Sequence, residues 1–443
     1  MNNNSRPVKP LLGLLTLCVL GTAVAAENRI DTVRFDAPEL ARFGDFDIGV
    51  RTLEVTAPGR PDILNTVNGS DTLDYDRTLI VEVWYPAKLT NGQRAGGVYT
   101  TPTRNPSITA TLYGRAVRAA DPLPVDKPLP FVIISHGYPG NRFLMSHLAE
   151  NLASKGYVVA SINHRDSTYL DQQAFASTLY NRPLDQLIVL DEIESLSTSD
   201  ESFLSGIVDA TNTGIVGYSM GGYGLTINLG GGVSDVLLNH EIAPPNKLAF
   251  EHAAGNPEFL ATRDQRIKAG FLVAPWGMEN AVWRAEDLSG ISAPTFWLSG
   301  SADEVAGYER GTRAMFENAR QSDRYLLTFL NAGHNAGAPM PLPVEFEESD
   351  DKQGADHYVD AVWDSVRMNN VMDHFATAFF DLHLKDDASK LEYLRLLPNA
   401  EDGVYAMVDG TPTDEHTYWK GFPRATARGL VLEYLEAATV SAD

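Results

Sequence analysis

The sequence predicts an α/β fold: a mostly parallel eight-stranded sheet with helices on both faces and lid-like insertions. Two observations point there. Short continuous apolar runs recur along the chain, as strands buried on both faces of a parallel sheet require. Segments of helical periodicity fall between them. There is no internal repeat and no low-complexity tract.

The elements follow in order. Residues 78–85 alternate apolar and polar side chains, the pattern of a half-exposed strand. Residues 130–135 (PFVIIS) and 157–162 (YVVASI) are continuous apolar runs, and so read as buried strands. The helix between them is expected over 143–155, with Phe143, Leu144, Leu148 and Leu152 apolar. A second helix is expected from Pro183 to Leu196. Strands over 213–218, 269–274, 294–298 and 325–330 continue the series, with helices over 221–229, 310–320 and 368–383. Two stretches, near 230–265 and 335–365, exceed ordinary connection length and suit lids or substrate-binding walls. Residues 27–42 read as a loosely packed leader. From about residue 388 the chain forms a C-terminal extension ending in an apolar helix or strand.

The chain has 443 residues, 44% of them apolar, which suffices for a large core in one domain with insertions. Arg6 and Lys9 precede an apolar run over residues 11–24. Ala23-Val24-Ala25-Ala26 then supplies small residues suited to signal peptidase. Residues 1–26 are therefore expected to be a secretory signal, and 27–443 a single secreted or periplasmic domain with no membrane span. Leu17 before Cys18 excludes a lipoprotein signal. Cys18 is the only cysteine, so the mature chain has no disulfide, no thiolate zinc site and no cysteine nucleophile. The formal net charge of −23 excludes nucleic acid and an anionic membrane surface as electrostatic partners. It favours a neutral or cationic substrate, or an anionic one held only by a local pocket. Oligomeric state leaves no trace in the sequence.

Gly217-Tyr218-Ser219-Met220-Gly221 is a G-x-S-x-G motif placed after an apolar strand and before a helix. That context is the nucleophile elbow of the α/β-hydrolase fold. A sharp turn lifts the serine hydroxyl to the carboxyl end of the sheet, with the Met220 amide aimed at the same space. A serine hydroxyl needs a base, and the base needs a carboxylate. In this fold the acid and then the histidine follow the serine in the chain. Asp303 stands just beyond the strand over 294–298, and His334 just beyond the strand over 325–330. Glu304 is the nearest rival acid. His240, His252, His357 and His374 close no expected strand. His136-Gly137-Tyr138 follows the strand over 130–135. The Tyr138 amide is the expected second oxyanion donor, with Gly137 next, and His136 is read as bracing the turn. Trp276, after the strand ending at Ala274, is a candidate wall of the substrate pocket. No cofactor or metal is expected: there is no His-Glu-x-x-His, no P-loop and no dinucleotide-binding glycine motif. Glu258 and the acidic run over 345–351 read as solvated loops.

Several segments together resemble the platelet-activating-factor acetylhydrolase (isoform II) and dienelactone-hydrolase-like branch of that superfamily. They are Val83-Trp84-Tyr85-Pro86, Ser135-His136-Gly137-Tyr138, Asn163-His164-Arg165-Asp166, Arg182-Pro183-Leu184-Asp185 and the elbow at Gly217 to Gly222. The resemblance is close over 80–229 and looser over 269–334. It implies a calcium-independent esterase acting on short or oxidised acyl esters. The sequence departs from that branch at Val273-Ala274-Pro275-Trp276, where no carboxylate stands, and Asp303 fills the acid position one strand later. His164 and Asp166 are read as loop-bracing residues. The expected reaction is hydrolysis of a small-molecule or lipid-like carboxylic ester through an acyl-enzyme. The alternatives are an amide, peptide or polyester hydrolase with the same triad, or a non-catalytic binding protein on this fold.

Overall fold

The computed structural model describes Met1 and residues 27–438; the expected signal otherwise lies outside the described residues. The seven expected strands, preceded by one over Asp47–Pro61 that the sequence pattern did not announce, form the centre of one sheet. They are β1 (Asp47–Pro61), β2 (Asp74–Lys88), β3 (Leu129–Ser135), β4 (Val158–Asn163), β5 (Val208–Tyr218), β6 (Ile267–Val273), β7 (Thr295–Gly300) and β8 (Arg324–Phe329). A ninth long strand, β9 (Leu430–Leu435), pairs antiparallel with β8. The order across the sheet is β9-β8-β7-β6-β5-β3-β4-β2-β1, and two short strands at Val117–Arg118 and Asp121–Pro122 bring the total to 11. Pairing from β4 through β8 is parallel, and β1–β2 and β2–β4 are antiparallel. The chain therefore adopts the α/β-hydrolase fold.

Helices α1 (Ser146–Ala153) and α4 (Ser365–Leu384) cover one face; α2 (Phe175–Thr198) and α3 (Met220–Asn228) cover the other. Each strand sends alternate side chains to the two cores. Phe271 and Phe296, on neighbouring strands, stack with centroids 4.6 Å apart under α4. Leu272 and Trp297, one residue on, point into the opposite core. Each such buried side chain contributes about 1.5–3 kcal/mol.

Four expectations change. Strand β2 alternates only at its start; from Val81 to Ala87 both faces are buried, because Trp84 packs against Tyr99 and Phe143 on one side while Val81, Val83 and Tyr85 face the other core. Helix α2 begins at Phe175, well before Pro183, and runs through that proline. Proline blocks the hydrogen bond to the Leu179 carbonyl, and the Tyr223 hydroxyl donates to that carbonyl instead, at 2.9 Å. The leader is packed: Ala41 is fully buried, and the Leu40 amide donates to His374 Nδ1. The C-terminal extension closes the sheet edge with β9 and buries Trp419 against Phe375 of α4. A small sheet of Val98–Pro102, Thr109–Tyr113 and Asn28–Arg29, absent from the sequence reading, sits in the β2–β3 connection and is joined by the start of the leader.

Candidate active site

Ser219 joins β5 to α3 in the strained left-handed half of backbone space, at φ 53° and ψ −112°. The flanking glycines are required by contact. A Cβ on Gly217 would lie 2.5 Å from the Gly221 carbonyl oxygen, and one on Gly221 would lie 1.9 Å from that of Ser135. The elbow is thus pressed directly onto the end of β3.

The structure brings Ser219, His334 and Asp303 together. His334 Nε2 stands 3.0 Å from Ser219 Oγ, and His334 Nδ1 stands 3.0 Å from each oxygen of Asp303. The loop after β7 carries Asp303 and the loop after β8 carries His334. Asp303 is fixed in turn by the amides of Val305 and Ala306, each donating at 2.9 Å. Burial pushes its carboxyl up, but the His334 contact and the two amides prevail and hold it below the usual carboxylate range. Glu304 is exposed and makes no hydrogen bond to His334. The Gly333 amide, next to His334, donates to Asp360 at 2.7 Å. The Tyr218 ring lies 5.2 Å from the His334 ring.

The amides of Tyr138 and Met220 donate to no backbone acceptor among the described residues. Met220 opens α3, so its amide also carries the positive end of the helix dipole. Its side chain is buried in the core. His136 accepts from the His164 amide at Nε2, which leaves Nδ1–H to donate to the Gly137 carbonyl at 2.8 Å. Arg182 of α2 donates to the carbonyls of His136 and Gly137 and to Ser167 Oγ. Among the described residues no carboxylate pairs with Arg182 directly, and burial pushes its pKa down to about 9, so it is a cation at neutral pH. Below it, Asp185 takes two hydrogen bonds from Arg77, at 2.6 and 2.9 Å, and one from His164 Nδ1 at 2.9 Å. Asp166 pairs with Arg77 at 2.9 Å. His164 and Asp166 brace the loop, and burial first, then Arg182, pushes His164 to about 3.

Ser219 and His334 open into a cavity of about 580 Å³. Tyr138 lines it. Its far wall is the 335–365 insertion, through Asp356, His357, Val359 and Asp360, together with Arg104 from the small-sheet region. The 230–265 insertion contributes nothing to this wall; it packs against the loop after β6, where the Ser234 amide donates to Val282. Trp276 does not line the cavity either. Its ring packs edge-on against Phe175, 5.2 Å away, and Phe175 packs the same way against Tyr138. Phe175 opens α2, and the late helix start expected at Pro183 concealed it. Among the remaining histidines only His357 reaches the cavity; His252 faces Glu251 and His374 is in the core. Arg104 and Asp360 were not singled out by the sequence, His357 only as a histidine that closes no expected strand, and none belongs to a recognisable motif. Among the described residues no group of three or more His, Cys, Asp or Glu is placed to hold a metal ion.

Such an arrangement supplies what acyl transfer needs: a hydroxyl facing a base, a base oriented by a carboxylate, and two free amides beside the hydroxyl. Comparisons with known proteins agree in kind. A family described as PETase, PET hydrolase-like, matches residues 95–232, which hold Tyr138 and Ser219 but stop short of Asp303 and His334. Cutinase est1 of Thermobifida alba is 26% identical over 206 residues, 46% of this chain and 53% of that protein. Cutinase 2 of Thermobifida cellulosilytica is 22% identical over 63% of this chain and 76% of its own length. The chain thus spans about half the length of the first of these curated relatives. A solved ferulic acid esterase from Streptomyces cinnamoneus covers 93% of this chain and 100% of its own, with a TM-score of 0.54 and 19% identity, a likeness of fold. Together they support the α/β-hydrolase superfamily; none of them is an acetylhydrolase or a dienelactone hydrolase.

Proposed function

We propose that this chain is a secreted or periplasmic serine esterase that hydrolyses small carboxylic esters through an acyl-enzyme. The observation that carries this is the continuous relay from Ser219 Oγ through His334 to Asp303, every link at 3.0 Å, at the floor of a cavity. His334 takes the Ser219 proton as Oγ adds to the ester carbonyl. The amides of Tyr138 and Met220 stabilise the oxyanion. His334 returns the proton to the leaving alcohol, and water then repeats the sequence to free the acid. The cutinase and polyester-hydrolase likenesses support ester cleavage as the reaction. The far wall favours a soluble ester over a polymer surface, because Arg104 and residues 356–361 bound the space around Ser219. The acetylhydrolase-like narrowing rests on residues 80–229 alone. Residues 1–26 are proposed to direct export.

A fluorophosphonate probe should label Ser219 in the wild type, with the adduct mapped by peptide mass spectrometry. Ser219→Ala should lose the label and about five orders of magnitude in kcat on p-nitrophenyl esters. Labelling at another serine with full activity in Ser219→Ala would refute the assignment. Release from a polyester film faster than from any soluble ester would favour the polymer reading instead.

A further inference from the structure

The cavity wall facing Ser219 holds a cation that the reaction as described does not use. Arg104 is half-buried and lines the cavity. Its backbone amide donates to the Tyr358 hydroxyl at 2.9 Å. Its stem lies against Gly354, where a Cβ would come within 2.6 Å of Arg104 Cγ. The next residue, Asn105, donates to Asp351 at 3.0 Å, and Thr101, three residues before, accepts from Asn141 at 2.7 Å. The backbone and stem are therefore fixed from both sides. The guanidinium is not: among the described residues it makes no hydrogen bond and no ion pair. A guanidinium carries five N–H donors in a fork that matches a carboxylate. In the cavity wall, that fork is placed to meet a ligand. His357 stands beside Arg104, with Nε2 buried and without a hydrogen-bond partner among the described residues. Burial first, then the charges of Arg104 and His334, pushes His357 to about 3, so it is neutral and adds no repulsion.

We propose that Arg104 is a carboxylate-binding point in this cavity, and that the esters taken by Ser219 carry a free anionic group on the portion reaching it, as half-esters of dicarboxylic acids do. This rests on the esterase reading. The wall also carries three carboxylates that oppose an anion, but among the described residues none pairs with Arg104. Asp360 is already engaged by the amides of Gly333, Val362 and Trp363. Glu304 and Asp356 are exposed at the rim. In a chain of net charge −23 an anion is repelled everywhere except where a local cation meets it. Arg104 then selects both the substrate and its orientation.

The test uses two esters of equal acyl length, mono-p-nitrophenyl glutarate and p-nitrophenyl pentanoate. The quantity read is the ratio of kcat/KM for the anionic ester to that for the neutral one. Arg104→Gln should lower that ratio about tenfold or more. Arg104→Lys should recover part of it, since charge is kept but the fork is lost. In the wild type, glutarate should inhibit pentanoate-ester hydrolysis competitively and more strongly than uncharged glutaramide. An unchanged ratio in Arg104→Gln, or equal inhibition by the acid and the diamide, overturns the proposal and leaves the esterase reading intact. Failure of the wild type to hydrolyse either ester, with Ser219 unlabelled, overturns both.

Discussion

The floor and the far wall of the cavity are built on opposite principles. The floor is made of strand ends and buried ionic contacts: Ser135, His136 and Gly137 end β3, and Arg182, Asp185, Arg77 and His164 hold them from beneath, all inside the fold. The wall is made of insertions. Arg104 comes from the β2–β3 connection and His357 and Asp360 from the 335–365 insertion, all half-exposed and tied by a few hydrogen bonds to loops. The floor fixes a geometry that the chemistry of acyl transfer dictates. The wall carries groups left free to meet a ligand. Substitutions on the two sides should therefore fail differently: floor changes in catalysis and stability together, wall changes in substrate preference or rate with the fold kept.

Outside the triad, Arg182→Met should give the largest effect. The Gly137 carbonyl belongs to the same peptide unit as the Tyr138 amide, so donors on that oxygen polarise the N–H that faces the oxyanion. Removing the guanidinium weakens that donor and leaves the buried His136 carbonyl without its partner. The expected outcome is a fall in kcat of about a hundredfold, with unfolding free energy lower by about 3 kcal/mol. A transition-state analogue such as a boronic acid should lose more affinity than a substrate-like ester. Equal losses for both ligands would mean that Arg182 acts on the fold alone.

Asp360→Ala makes the matching change on the wall side. It frees the Gly333 amide and so loosens the loop that presents His334. The side chain is half-exposed and water can replace it, so the expected fall in kcat is about tenfold and the change in stability is under 1 kcal/mol. Steady-state kinetics beside urea unfolding checks both. If this variant lost as much stability as Arg182→Met, the contrast between floor and wall would not hold.

The same contrast explains what was legible in the sequence. Ser219, Asp303 and His334 could be placed because each closes a strand, and strands announce themselves as apolar runs. Trp276 was found by the same rule, but a strand end does not say which neighbour covers it. The cover is Phe175, hidden because Pro183 reads as a helix start. The helix runs through Pro183 because Tyr223, distant in sequence, takes up the Leu179 carbonyl. Arg104 and His357 lie in segments with no periodicity, and only folding brings them to Ser219. The packing of residues 27–42 and the edge pairing of β9 are likewise long-range facts that local pattern does not carry.

Acid should separate the two regions by a smaller amount. His164 in the floor and His374 in the core are fully buried, and burial above all pushes each to about 3. The unfolded chain titrates its histidines near 6.5. A folded pKa below the unfolded one means that the unfolded state binds protons first. The stability these residues contribute is thus complete above about pH 6.5 and is lost as pH falls toward 3. Between pH 7 and pH 6 the pair should cost about 1 kcal/mol, read as a lower urea midpoint with an unchanged slope. His357 is also pushed to about 3, but its ring lines the cavity, where water can reach the protonated form once the wall loosens, so its share is smaller. Replacing it with Asn should therefore leave the acid dependence nearly as steep. A profile flattened by that change, with His164 and His374 intact, would place the acid-sensitive burial in the wall and reverse the contrast.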